Sequence, residues 1–476
     1  SHQPMSRRAA SLSLSLSLSL ALALRAASAQ DSAPRDSVAE RFVHLARAAR
    51  AHLAADAGRT WGARLDTIPW MGVAGKHIHL TDDPRRQGYE AGTSGAWSGA
   101  LPGELTPANT SVEWGGRRWA MVLLPLPADS AAAVRLLIHE ATHVAQPEIV
   151  PRPAANEMAV GSALLDEPEG RSWLQLEWRA LAAALDARGA ARERALGDAL
   201  LFRARRYAVA APAERERERA LDLSEGLPEY TAWRLTGGDA RALARSLRAD
   251  APSLPTFGRA FPYFTGPAYA LLLDARASDA WRARLRAMPD LQLLALGALR
   301  GTPPEVGAAL RASGAISSRD SAALARRAET AGRRYGLDSL RAAEGARWAE
   351  RQRLLAELRA RFVTGPTIRL RPRSLQISFD PRGQISLAGD GTVMGNLVWR
   401  GANGAELRAP AGALVAPDWS EIRVPVGAAA LAPGALAEAR RWEGEGWTLA
   451  LPAGWVVAAE GASWVVTPPP AASAPR

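Results

Sequence analysis

The sequence predicts an α+β protein, with a largely helical region followed by a β-rich C-terminal domain. Three observations carry this. From about residue 171 to 362, apolar positions recur with the helical period. After Gly365-Pro366 the period drops to two, with Ile368/Leu370, Leu375/Ile377/Phe379 and Ile385/Leu387 alternating with polar residues. Between 61 and 127 short alternating runs are punctuated by turn residues. At 476 residues, the chain is too long for one ordinary core, so two or three domains are expected.

Taken in order, residues 1–29 have the form of a secretory signal peptide. Arg7 and Arg8 follow Met5, an apolar run extends from Leu12 to Leu24, and Ala27-Ser28-Ala29 supplies a cleavage site after Ala29. The run is too short and too rich in serine for a comfortable membrane span. A secreted or periplasmic protein is therefore expected, with no membrane span in the mature chain. Residues 30–127 begin with a polar stretch and an Ala/Arg-rich amphipathic helix to about 58, then turn to strands. Lys76-His77-Ile78-His79-Leu80 alternates, and Trp114-Gly115-Gly116-Arg117-Arg118-Trp119 predicts a turn feeding a strand over Ala120–Leu124, an edge against which an extended peptide could pair.

The helical region spans 128–364. Asp129 or Ser130 caps a helix that carries Val134, Leu137 and Ile138 inward and stops before Pro147. Breaks are expected at Gly237-Gly238, Pro252–Pro255, Pro262 and Pro303-Pro304. The β-rich domain covers 365–468, with tight turns at Asp380-Pro381-Arg382-Gly383 and Asp390-Gly391 and last strands at Trp447–Leu451 and Trp464–Thr467. Its Trp399, Trp419 and Trp447 read first as core residues and second as a carbohydrate-binding surface. Residues 469–476 form a Pro-rich tail expected to be disordered.

The net charge of +11 does not imply nucleic-acid binding. Lys76 is the only lysine among 59 basic residues, and most arginines alternate with acids, as in Glu214-Arg215-Glu216-Arg217-Glu218-Arg219, which reads as a solvated helix face. No basic stripe interleaves with aromatics. Cysteine is absent, which removes disulfides, thiolate metal sites and cysteine nucleophiles.

The chemistry concentrates in His139-Glu140-Ala141-Thr142-His143. Histidines four apart on a helix lie on one face and can share one ion, which places Glu140 beside a water at that ion. Where thiolates are lacking, Zn2+ takes imidazole and carboxylate donors of this kind. With only seven histidines in the chain, a chance pair at this spacing around a glutamate is rare. The paired His77 and His79 share one strand face, but Asp82 and Asp83 are the only acids nearby, so no second metal is expected. A third ligand is sought in Leu223-Ser224-Glu225-Gly226-Leu227-Pro228-Glu229-Tyr230. There Glu225 lies 82 positions beyond His143, and Glu229 faces the same way four residues on. Glu225 could ligate while Glu229 accepts a hydrogen bond from a ligand histidine; both could equally be solvated helix glutamates. Pro228 between them predicts a kink or helix end.

His139–His143 followed by Ser224-Glu225-Gly226-x-x-Glu229-Tyr230 resembles the gluzincin metallopeptidases of the aminopeptidase and leukotriene-hydrolase type, and the stretch from Leu174-Gln175-Leu176-Glu177-Trp178-Arg179 through Glu225 also resembles an exported bacterial branch of gluzincin-like proteins. Pro262-Tyr263-Phe264-Thr265-Gly266 is similar to a further motif of that family. The resemblance covers about residues 130–275. It implies a zincin-like catalytic domain over 30–364, Glu225 as the third zinc ligand, and Tyr263 as the group that polarises the substrate carbonyl. Tyr263 could instead be a core aromatic, with Tyr269 the less favoured donor. The sequence also departs from the family. The gap before Glu225 is longer and implies a helical insertion, Ser224 replaces an asparagine, and the motif that binds a free N-terminus is missing, with Glu113 alone at a similar place.

The expected function is a secreted zinc metallopeptidase acting on peptide or protein substrates. Glu140 and Tyr263 are its catalytic residues, His139, His143 and Glu225 hold the metal, and Glu229 supports a ligand. The alternatives are a zinc hydrolase of a non-peptide substrate and a non-catalytic zinc-stabilised envelope protein.

Overall fold

The computed structural model describes residues 35–92, 95–150, 162–277, 280–375, 377–427 and 431–469. The expected signal peptide with its cleavage point after Ala29, and all of the expected tail but Pro469, lie outside the described residues. The protein is α+β, as its periodicities predict. It divides into two compact units, one up to Glu344 and one from Gly345. The strands of the second unit begin at Thr367, where the sequence changes texture, although the division itself falls earlier, inside a helix.

Helix α1 (Arg35–Asp56) opens the first unit. A six-stranded sheet follows: β1 (Trp70–Ala74), β2 (His77–Leu80), β3 (Tyr89–Ala91), β4 (Trp97–Ala100), β5 (Thr110–Trp114) and β6 (Arg117–Leu123). Their spatial order is β3-β4-β2-β1-β6-β5. Gly115 and Gly116 both take positive φ, 63° and 71°, so a two-residue turn folds β5 back onto β6. Strand β1 then pairs in parallel with the other side of β6. The strand expected at Ala120–Leu124 is therefore interior and offers no edge; the edges of the sheet are β3 and β5. Pairing is a non-local property that a hairpin signal does not settle.

Helix α2 (Ser130–Ile149) carries the histidines. Asp129 caps it, its side chain accepting from the Ala132 N–H at 2.7 Å. The helix does not stop before Pro147. The Val150 N–H reaches the Gln146 carbonyl at 3.0 Å and closes a last turn beyond the proline. The indole of Trp70 on β1 donates to the Leu137 carbonyl at 2.8 Å and ties sheet to helix.

Helices α3 (Pro168–Asp186) and α4 (Gly189–Tyr207) lie between the histidine helix and Glu225. Then come α5 (Pro212–Ser224), α6 (Gly226–Leu235), α7 (Ala240–Ala249), α8 (Pro262–Ala277), α9 (Ala280–Leu285), α10 (Leu291–Ala298), α11 (Pro304–Arg311), α12 (Ser318–Arg334) and α13 (Leu337–Arg359). The expected breaks fall between these helices, and Pro262 and Pro304 each start one, where a missing N–H costs nothing. One apolar core joins α1, α2, the helix-facing side of the sheet and the helices from α3 onward. Among the described residues no helix is long and apolar enough to cross a membrane.

The second unit is built on an eleven-stranded sheet. Its last strands include Trp447–Leu451 and Ser463–Thr467. The run Asp380-Pro381-Arg382-Gly383 is not the turn expected: Ile377–Ser386 is one strand with a bulge. The strand Thr392–Arg400 pairs with both its halves, Asp380 opposite Gly395 and Ile385 opposite Val393, so the surplus residues are extruded rather than reversed. Trp399 and Trp447 are buried, their indoles donating to the Ser374 and Pro425 carbonyls. Trp419 is half exposed.

Candidate metal centre

Three side chains from two separated stretches of chain converge. Nε2 of His139 lies 3.0 Å from Nε2 of His143, and each is 3.6 Å from Oε2 of Glu225. Bonds of about 2.0–2.2 Å from zinc to nitrogen and oxygen, in tetrahedral array, set donors roughly 3–3.5 Å apart, so this triangle fits one ion. Among the described residues it is the only group of this kind.

Glu225 reaches the histidines because the chain breaks at that residue. Helix α5 ends at Ser224, Glu225 itself has φ −104° and ψ −37°, and α6 starts at Gly226. Pro228 falls in the first turn of α6, where the helix has no acceptor for an N–H. The expected interruption is thus present, one turn before the proline. Gly226 also permits a close crossing with α8: a Cβ there would stand 2.8 Å from the Gly266 Cα, and one on Gly266 would stand 2.3 Å from the Gly226 Cα. That approach sets Tyr263, one turn before Gly266, over Glu225. Its hydroxyl donates to Glu225 Oε2 at 2.6 Å, and its ring stacks on His139 with centroids 5.6 Å apart.

The outer nitrogens fix the tautomers. His139 Nδ1 is 3.0 Å from Glu229 Oε2, which can only accept when ionised. His143 Nδ1 is 3.0 Å from Gln146 Oε1, and the Gln146 amide donates to the carbonyls of Leu223 and Ser224 at 2.7 and 3.1 Å. Both Nδ1 atoms therefore carry the proton, and both Nε2 lone pairs point at the shared position. Two lone pairs and a carboxylate oxygen converging in a buried space favour a cation. With no metal bound, a proton on His139 Nε2 meets the same demand in place of that lone pair, the pKa of the ring being raised to about 10: burial opposes the protonated form, but hydrogen bonds to Glu225 and Glu229 and the charge of Glu140 outweigh it. Glu225 is held well below the usual carboxylate range, its burial overridden by His139 and His143. Glu140 is fully buried on α2 between the two histidines.

Behind the centre lies a buried charge cluster. Glu177 on α3 accepts from Arg203 at 2.7 Å and Arg206 at 2.8 Å, both on α4. Arg203 continues to Asp222 at 2.5 Å and Arg206 to Glu218 at 2.7 Å, both on α5. Thr265 on α8 donates to Asp222 at 2.6 Å, joining the cluster to the helix that carries Tyr263. Tyr269 belongs here and not to the metal centre, since its hydroxyl donates to Glu177 at 2.8 Å. Arg215 and Glu218 are buried as well, so Glu214–Arg219 is not the uniformly solvated face its alternation suggests. Arg206 of α4 supplies the partner that Glu218 needs.

Of the residues singled out in the sequence, the structure brings together His139, His143, Glu225, Glu229 and Tyr263, with Glu140 alongside. Glu113 is exposed on edge strand β5. His79 pairs through Nδ1 with Ser98 Oγ at 2.8 Å while His77 is exposed, so the two form no metal group. Gln146, Gly226, Gly266 and Asp222 were missed as contributors to the site; only Gln146 had a local signal, its three-residue spacing from His143 on one helix face. No protein-family model matches the chain, and comparison with curated proteins and with solved structures likewise gave no match.

Proposed function

We propose that this chain is an exported zinc hydrolase of the gluzincin type that cleaves peptide bonds. The observation that carries the proposal is the convergence of His139 Nε2, His143 Nε2 and Glu225 Oε2 on one position beside Glu140. Zinc held there would supply Lewis acidity and lower the pKa of water. Glu140 takes the proton of the attacking water as general base and returns it to the leaving amine as general acid. The Tyr263 hydroxyl turns from Glu225 to the substrate carbonyl oxygen as negative charge develops on it. An extended peptide has an unpaired strand edge to lie along in β5, in the sheet that α2 packs against.

The burial of Glu140 supports an enzyme over a structural zinc module, because a structural site gains nothing from a desolvated carboxylate between its ligands. The deciding experiment is Glu140→Gln, which should retain one zinc per chain and lose hydrolysis of an unfolded protein substrate by about 10²-fold or more. Undiminished turnover would overturn the reading. A wild type that spares protein but opens small esters or epoxides would keep the metal mechanism and replace the substrate.

A further inference from the structure

We propose that a cationic trough on the first unit, lined by α4, α9 to α12 and the turn Leu299–Pro303, is a docking groove for an acidic peptide segment. The proposal concerns binding alone and does not rest on the hydrolase reading.

Two cavities adjoin through the turn Leu299–Pro303, which lines both. The larger, about 980 Å³, lies between α4, α12 and that turn; the smaller, about 440 Å³, continues past α10 and α11. Arg194, Arg300 and Arg326 line the first, and Arg284 and Arg311 line the second. All five are exposed, and among the described residues none has a carboxylate partner.

What sets these five apart is that they gather along one concave surface. The acids in the trough wall are Glu193 and Asp198, and each is already engaged, Glu193 by Arg276 and Asp198 by Arg334 at 3.0 Å. The smaller cavity has no acidic lining residue. The residual field is therefore positive along the whole length, and low-dielectric walls focus it. Guanidinium forks at both ends suit a series of carboxylates spaced along a chain better than one small anion.

A nucleic acid fits less well. The trough has a single aromatic lining residue, Tyr335, whose hydroxyl is engaged with Asp198 at 3.0 Å, so it offers no run of rings on which successive bases could stack. A lipid surface fits less well too, since the exposed large apolar residues Val209, Leu354 and Trp419 all lie outside the trough.

The test is fluorescence anisotropy of fluorescein-labelled octaglutamate with the full chain. Binding should weaken between about 0.05 and 0.2 M salt, as exposed charge contacts do. Arg194→Gln/Arg300→Gln/Arg326→Gln should weaken it by about tenfold or more, and Arg284→Gln/Arg311→Gln by a smaller factor. Arg241→Gln/Arg245→Gln, which removes two exposed charges on α7, should leave it unchanged. The proposal is overturned if the peptide does not bind at low salt, or if the α7 variant weakens binding as much as the trough variants. It is also overturned if a single-stranded oligonucleotide of equal charge displaces the peptide and binds more tightly.

Discussion

The Tyr263 hydroxyl donates a 2.6 Å hydrogen bond to Oε2 of Glu225, the same oxygen that stands 3.6 Å from Nε2 of both His139 and His143. On the proposed reading, a phenol one hydrogen bond from the Glu225 oxygen is within reach of a carbonyl brought to a metal at this centre. Tyr263→Phe should therefore lower kcat by about 10²–10³ with little change in KM, the signature of a donor used only as charge develops. Zinc content should stay at the wild-type level. Equal kcat in mutant and wild type would remove Tyr263 from the chemistry.

Glu229 and Gln146 hold the two histidines by their outer nitrogens. Replacing either by alanine frees a ring to rotate and leaves the proton on the wrong nitrogen part of the time. Each variant should bind zinc about 10–100-fold more weakly, measured by competition with a chromogenic chelator. Unaltered affinity in both would mean that the tautomers are set elsewhere.

At the α6–α8 crossing, Gly266→Ala would place a Cβ 2.3 Å from the Gly226 Cα. Backbone on both sides leaves no flexible side chain to yield, so the helices must separate. A stability loss of about 1–3 kcal/mol is expected in urea unfolding. Zinc affinity should fall with it, because the separation moves Tyr263 and Glu225 apart. Serine at the exposed Gly314, which faces open space, is the control and should leave both unchanged.

In the second unit, Glu421 accepts from Arg369 at 2.9 Å and from Arg371 and Arg423 at 2.6 Å. Burial opposes its charge, but the three guanidinium groups outweigh it and hold the carboxyl below its ordinary 4.5. A depressed carboxylate stabilises the folded state fully above its unfolded value, and this is lost as pH falls through the folded one. Wild type should thus exceed Glu421→Gln in thermal stability at neutral pH, and the difference should shrink only below 4.5. A difference that shrinks above pH 6 would point to another group.

Legibility followed how local each feature is. His139, Glu140 and His143 share one turn and a bit of one helix, so their juxtaposition follows from the helical period alone. Glu225 needed a second stretch of chain, and its placement rests on the glycine crossing with α8, which no window of sequence displays. The predicted peptide edge at Ala120–Leu124 was misplaced for the same reason: β6 recruits β1 from far upstream. Arg203, Arg206 and Glu218 look like surface charges until the packing of α3, α4 and α5 brings acid and guanidinium together inside the protein, where each is tolerable only because the others are present. The β-domain strands at 447 and 464 were legible from alternation, whereas the bulge in Ile377–Ser386 depends on a partner strand.

The central claim is that His139, His143 and Glu225 hold one metal ion. Elemental analysis of the purified chain, wild type beside His143→Ala, tests it most directly. One zinc per chain in the wild type and none in the mutant is the predicted result. A wild type without zinc after purification in zinc-containing buffer, or a mutant with an undiminished zinc content, would contradict it.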